Sequence, residues 1–248
     1  MDFVWCLRHN SAQIGVLSTA AIGGLSAAEV AAQIGYLKPA QIAAVGTDAI
    51  SGLTTAQVTA LSTATVAALT TTQIAAGLTG AQLAVLSSAQ LAALSAAQAK
   101  VLTTDEMSAL STANVVGLST AAVAALSSDQ VAALSSADIL HLSNTQLLAL
   151  TTQTIPVLSS AEISAVGSAV LSALSTAQFA AITTDAIQGL TASEMTSLST
   201  KEIAAFTTDQ INALTTTAIG GLTNTQTAAF TNAQIAGMAD QQRNNIFS

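Results

Sequence analysis

Residues 86–94 read LSSAQLAAL, and this phrase recurs with small edits every eight positions along nearly the whole chain. Aligned on leucine, units begin at Leu53, Leu61, Leu69, Leu78, Leu86, Leu94, Leu102 and Leu110, and continue through Val166, Ile182, Phe206 and Phe230 to Met238. Leu17, Leu25, Leu37 and Val45 carry the series towards the N-terminus. The consensus is L-[ST]-[STA]-x-[QE]-[ILV]-x-[AG], broken by an insertion at 33–36 and one extra residue near Gly77. A strand fails on parity, because the large apolar positions, first and sixth, would point to opposite faces. One continuous helix also fails. Eight residues advance an α-helix roughly 80° beyond two turns, so the leucine stripe would wind around the surface and face nothing.

A succession of short helices satisfies every position. The hydroxyl at the second position becomes the N-cap, and the Gln or Glu falls at N3, which makes a capping box. The leucine is then N′ and the sixth-position aliphatic N4, the two members of a hydrophobic staple. Leu86 to Leu91 is thus a complete helix start. Lys38-Pro39 is a variant with proline at N1, and Gly46 and Gly167 stand at N-caps. Each helix has room for about two turns, too few to be stable alone, so stacking must hold it.

The N3 position carries a second rhythm. Gln130, Gln146, Glu162, Gln178, Glu194, Gln210 and Gln226 alternate with Ala122, Asp138, Thr154, Val170, Ala186, Glu202 and Ala218. This alternation predicts a sixteen-residue, two-helix coil with non-equivalent edges. The expected fold is an all-α solenoid of very short capped helices, an elongated rod on the order of 130 Å at 8–10 Å per helix layer. Its parts are an N-terminal cap at 1–8, one continuous octapeptide-repeat array at 9–238, and a C-terminal cap or tail at 239–248. The small residues in place of glutamine suggest a weakly polar strip for lateral packing.

Composition agrees with a thin aliphatic core. Apolar residues make up 51% of the 248 but aromatics only 3%, and charged residues only 7%. Disordered chains lack aliphatics at fixed intervals, so this chain is read as folded. A net charge of −8 with five Lys plus Arg excludes the cationic patch that nucleic acid or an anionic bilayer requires. The N-terminal MDFVWCLRHN lacks the cationic and apolar segments of a signal peptide. Ser, Thr and Gln interrupt every apolar run, so no membrane-inserted helix is expected. The single Cys6 excludes an internal disulfide framework.

No residue set declares a chemistry. Asp48, Asp105, Asp129, Asp185 and Asp209 fall at N2, and Glu29, Glu106, Glu162, Glu194 and Glu202 at N3. Both are first-turn positions where a carboxylate serves the unpaired amides and the helix dipole. His9 and His141 are distant and share no ligand spacing with Cys6, so no metal, cofactor or catalytic site is assigned. Phe3, Val4, Trp5 and Cys6 read as cover for the first coil. Gly23-Gly24 and Gly220-Gly221 read as close packing or helix C-caps, and Pro156 should bend or shorten its helix.

The units LTTAQVTAL, LSSAQLAAL, LSSDQVAAL and FTTDQINAL resemble the Leu-Thr-Thr-Ala-Gln octapeptide arrays of large bacterial repeat proteins, often of adhesin-like type. The resemblance spans roughly residues 9–238 and implies an extended, non-enzymatic, cell-surface segment. The phrase also resembles the opening helix of the DNA-reading repeats of plant-pathogen effectors. The roughly 34-residue period, base-reading loop and basic charge of those repeats are missing here, which rejects that reading. Two functions follow as expectations: a structural spacer or stalk, or a surface that contacts ice, glycan or a like rod through Ser/Thr rows such as Thr55, Thr71 and Thr184. An enzyme would need a convergent polar pocket, which the sequence does not supply.

Overall fold

The structure, a computed structural model, describes residues 11–247. The cap read at 1–8, with Phe3, Val4, Trp5 and Cys6, and also His9 lie outside the described residues. Among those described there is no β-strand; the chain is a succession of α-helices of four to eight residues with two 3₁₀ turns. The expected all-α solenoid of short capped helices is what forms.

The quoted stretch shows why each helix starts and stops. Ser87 is extended (φ −67°, ψ 159°) and its Oγ accepts the Gln90 N–H at 3.2 Å. In return Gln90 Oε1 accepts the Ser87 N–H at 2.8 Å, completing the capping box. The Leu91 N–H bonds the Ser87 carbonyl, and three residues later the Leu94 N–H bonds the Leu91 carbonyl and closes the helix. Helix Ser88–Ala92 is therefore five residues long, far short of the roughly 12–15 an isolated helix needs in water. Burial supplies the difference. Leu86 and Leu94 are 3% and 2% exposed and Leu91 is fully buried, each worth roughly 1.5–3 kcal/mol of apolar transfer. First- and sixth-position residues form the interior throughout, and aromatics enter it sparingly, as where Phe179 meets Phe206 edge to face at 4.8 Å.

The predicted sixteen-residue coil is not the structural unit. Each helix packs on the third one along: Gly80–Ala84 on Thr104–Ser108, Ser88–Ala92 on Thr112–Val115, Thr176–Ala180 on Thr200–Ala205. Glutamine side chains reach still further, 28 to 32 residues back, to the fourth helix. One turn of the solenoid thus takes between three and four helices. The reason is geometric. A five-residue helix is about 7.5 Å long, and every unit must turn both its first and sixth positions inward. A ring of three or four such helices encloses a common apolar axis, which a two-helix coil of this length does not.

The alternation at N3 was therefore misleading as a sign of two edges. Ala122, Thr154, Val170, Ala186 and Ala218 are all 0–3% exposed, like the glutamines they replace. They form no surface strip. Most N3 side chains face inward, the exposed Ala21 of the first capped helix excepted, so a small residue there trades an amide tie for simple packing.

The irregularities have local causes. The extra residue near Gly77 lengthens a helix, Thr71–Gly77, and the insertion at 33–36 becomes a 3₁₀ turn, Ile34–Tyr36, after Ala27–Gln33. Pro156 reduces its unit to the 3₁₀ turn Ile155–Val157. Gly167 joins helices Ser160–Val166 and Ser168–Leu171 with φ +79°, the only positive φ among the described residues, where an L side chain is strained. Gly220 is the C-cap of Thr216–Ile219, and Gly221 lies where a Cβ would stand 2.1 Å from the Ala192 carbonyl oxygen. Gly117 and Gly189 make the same approach to Ser88 and Ser160. Contacts group the chain into two compact units, residues 1–141 and 142–248, and each is built in this way.

Candidate functional site

The most elaborate polar arrangement in the molecule is the N3 side chain and what surrounds it. In the unit at 86–93, Gln90 Oε1 takes the N-cap amide and hydroxyl of Ser87. Its Nε2 donates to the carbonyls of Val58, Thr59 and Leu61 at 3.1, 3.3 and 2.8 Å. Those carbonyls belong to the C-terminal end of helix Thr55–Thr59, where the last turn leaves acceptors without intrahelical partners. One amide therefore satisfies the start of its own helix and the end of another one full turn away. Gln82, Gln98 and Gln130 repeat the geometry in the first unit, and Gln210, Gln226 and Gln234 in the second.

Capping accounts for half of this clamp and was legible in the sequence. The cross-turn donation was not, although one signal pointed to it. A capping box accepts Gln or Glu equally, yet Gln outnumbers Glu at N3 in this chain, which implies a need for the amide N–H₂ as well as the oxygen.

Carboxylates at the two first-turn positions separate cleanly. The N2 residues Asp48, Asp105, Asp129, Asp185 and Asp209 carry no ligand geometry and sit on the rim of their helices, all five exposed. The N3 residues Glu29, Glu106, Glu162, Glu194 and Glu202 are buried, each accepting its N-cap amide at 2.6–2.8 Å. The Ser26 amide and hydroxyl hold the Glu29 carboxyl below the usual glutamate range. Burial pushes Glu106 the other way, against the bonds from Thr103 and with a small push from Asp105.

The outer surface is a field of small hydroxyls. Thr55, Thr71 and Thr184 are exposed, and in the unit at 86–93 Ser88 is exposed one residue after the capping Ser87. His141 is exposed, with Nδ1 2.7 Å from the Ala137 carbonyl oxygen of its own helix. Among the described residues no group of three or more His, Cys, Asp or Glu side chains could hold a metal ion. None of the described helices is long and apolar enough to cross a membrane. An apolar cavity of about 20 Å³ lies in the second unit beside the Pro156 turn, lined by Ile155, Ile163, Val166, Val170, Leu171 and Leu174 among other apolar side chains. It has the volume of about one water and no polar group to orient a ligand.

Comparison with known proteins bears on the repeat alone. No curated protein matches the chain. The ALTTAQ repeat matches it at residues 32–63, 77–112, 106–136 and 193–224, which together make up half of its length. The phrase in that name, with its leucine, paired hydroxyls and glutamine, is the clamp-bearing unit described above, and the chain belongs to the ALTTAQ repeat family.

Proposed function

We propose that the chain is a non-enzymatic structural repeat protein, a spacer or stalk segment of an adhesin-type bacterial surface protein. The observation that supports this reading is the double use of the N3 glutamine. The most regular polar side chain in the sequence is consumed in tying the helices that carry it to the fourth helix before them. A repeat whose polar chemistry is spent on its own continuation is suited to extending a chain by increments. A spacer acts through length, so the particle must be elongated. Small-angle scattering tests this directly. A radius of gyration well above the roughly 18 Å of a compact chain of this length supports the reading, and a value near 18 Å refutes it.

A second reading rests on the exposed hydroxyls. Rows of N1 threonines such as Thr55, Thr71 and Thr184 offer a regular, weakly hydrated surface to ice, glycan or a second copy. Inhibition of ice recrystallisation by the parent chain, lost when these three residues become Tyr, would favour it. Absence of activity in the parent removes the ice version.

A further inference from the structure

Glu106 occupies the slot that glutamine fills in the repeat before it. Gln98 is fixed by the Ser95 amide on Oε1 at 2.7 Å, which places Nε2 at 2.6–3.4 Å from the carbonyls of Val66, Ala67 and Leu69. Glu106 is fixed in the same way: Oε2 accepts the Thr103 amide at 2.7 Å and hydroxyl at 3.0 Å. Its other oxygen, Oε1, therefore stands where the neighbouring glutamine carries its donor. Residue Glu106 is 3% exposed, and Oε1 has no hydrogen-bond partner. By the offset that joins Gln98 to the end of helix Thr63–Ala67, the helix four repeats before Glu106 is Thr71–Gly77.

An ionised carboxylate in that slot would aim a lone pair at carbonyl lone pairs inside the fold, without the charge partner that burial demands. No neighbour supplies one. Helices Thr71–Gly77 and Gly80–Ala84 carry no titratable side chain, and Ser128–Ala132 carries only the exposed Asp129. On its own helix Glu106 has the exposed Asp105, and Asp138 fills the N3 slot four repeats on, in a helix whose other titratable group is the exposed His141. The cation Lys100, on the preceding helix, points to solvent. In the Gln98 slot the donor stands 2.6–3.4 Å from its carbonyls, the range of a hydrogen bond.

We propose that Glu106 is held as the neutral acid in the folded chain, and that its Oε1–H donates to the carbonyls of helix Thr71–Gly77, a glutamine-like tie made with a proton and broken by ionisation. The first unit thus contains one clamp that acid closes and base opens. Glu29 differs because no described helix stands four repeats before it. The direction in which burial pushes the Glu106 carboxyl fits this assignment. A carboxyl whose folded pKa is raised contributes stability that is full below the unfolded value and lost as pH rises through the folded one.

The test uses the full chain and Glu106→Gln, melted by far-ultraviolet circular dichroism between about pH 3.5 and 7.5. Glutamine supplies the donor at every pH, so Glu106→Gln should melt a few degrees above the parent at the neutral end. The two curves should converge at the acid end, where the parent acquires its own proton. Equal melting temperatures at neutral pH, or a gap that does not change with pH, overturn the proposal. A carbon-detected NMR titration of the parent gives an independent reading if the variant does not fold. A Glu106 midpoint above the usual glutamate range supports the tie, and one at or below that range refutes it.

Discussion

Replacing Gln90 by Ala removes one complete clamp, and its cost can be worked from the contacts it breaks. The Ser87 amide loses its acceptor at 2.8 Å, but Ser87 is exposed and water replaces the bond, a net loss of about 0.5–1 kcal/mol. The Leu61 carbonyl loses its donor inside the fold, where an unsatisfied group costs roughly 1–3 kcal/mol, while the Val58 carbonyl keeps the Leu61 N–H at 3.1 Å. The total is about 2–4 kcal/mol. Gln57 provides an internal scale: it is half-buried and, besides its capping box with Thr54, its Nε2 donates to a single carbonyl, that of Ala31, so Gln57→Ala should cost about 1–2 kcal/mol. Ser88→Ala, which removes an exposed hydroxyl beside the capping one, should stay within about 0.5 kcal/mol. Urea unfolding followed by circular dichroism ranks the three. Because repeat arrays need not unfold in one step, hydrogen exchange at the Ser87 and Leu61 amides should accompany it. Exchange should accelerate at both in Gln90→Ala, 26 residues apart in sequence but joined through one side chain. If Gln90→Ala is no worse than Ser88→Ala, the glutamine is not a clamp and the account of the solenoid fails with it.

The cap, the staple and two glycines are each open to a single substitution. Ser87→Ala should lose the cap at 3.2 Å and cost about 1 kcal/mol, while Leu86→Ala, 3% exposed at the N′ position, should cost roughly 2–5 kcal/mol; equal and negligible effects in urea melts would refute the unit assignment. Gly189→Ala places a Cβ 1.9 Å from the Ser160 carbonyl oxygen, and the backbone must part, lowering stability by about 1–3 kcal/mol by the same assay. Gly167→Ala meets no neighbour yet must adopt φ +79°, so about 1–2 kcal/mol of loss should appear without any overpacking. At ψ 162° the backbone lies outside the left-handed helical region that Asn tolerates, so a Gly167→Asn variant should recover none of it.

The sequence disclosed what is local and hid what is long-range, for reasons visible at particular residues. The capping box, the staple and the eight-residue phase depend on atoms within three or four positions of one another, so LSSAQL states them outright. The effects of Pro156 and Gly221 were legible for the same reason. The number of helices per turn depends on how Leu86, Leu91 and their counterparts pack about a common axis, and no single unit encodes that angle. Alternation at N3 was the only periodic clue, and it misled because Ala122 and Gln130 occupy equivalent interior slots. A position that tolerates both looks like two environments when it is one environment with an optional tie.

That optional tie sets how the array divides its labour. A helix with Ala at N3, such as Thr184–Ile187, keeps only its hydroxyl cap, Ala186 N–H to Thr183 Oγ1 at 3.2 Å, and relies on its third neighbour for apolar packing. A helix with Gln at N3 adds a directional link to its fourth neighbour. The two kinds of contact answer to different conditions, since apolar packing weakens on cooling while the amide link does not depend on the heat capacity of water in the same way. Glu106, on the proposal above, makes its link conditional on a proton. One slot thus holds coils that are simply packed, as at Ala186, or tied by an amide, as at Gln90, and at Glu106 the tie would close only with a proton.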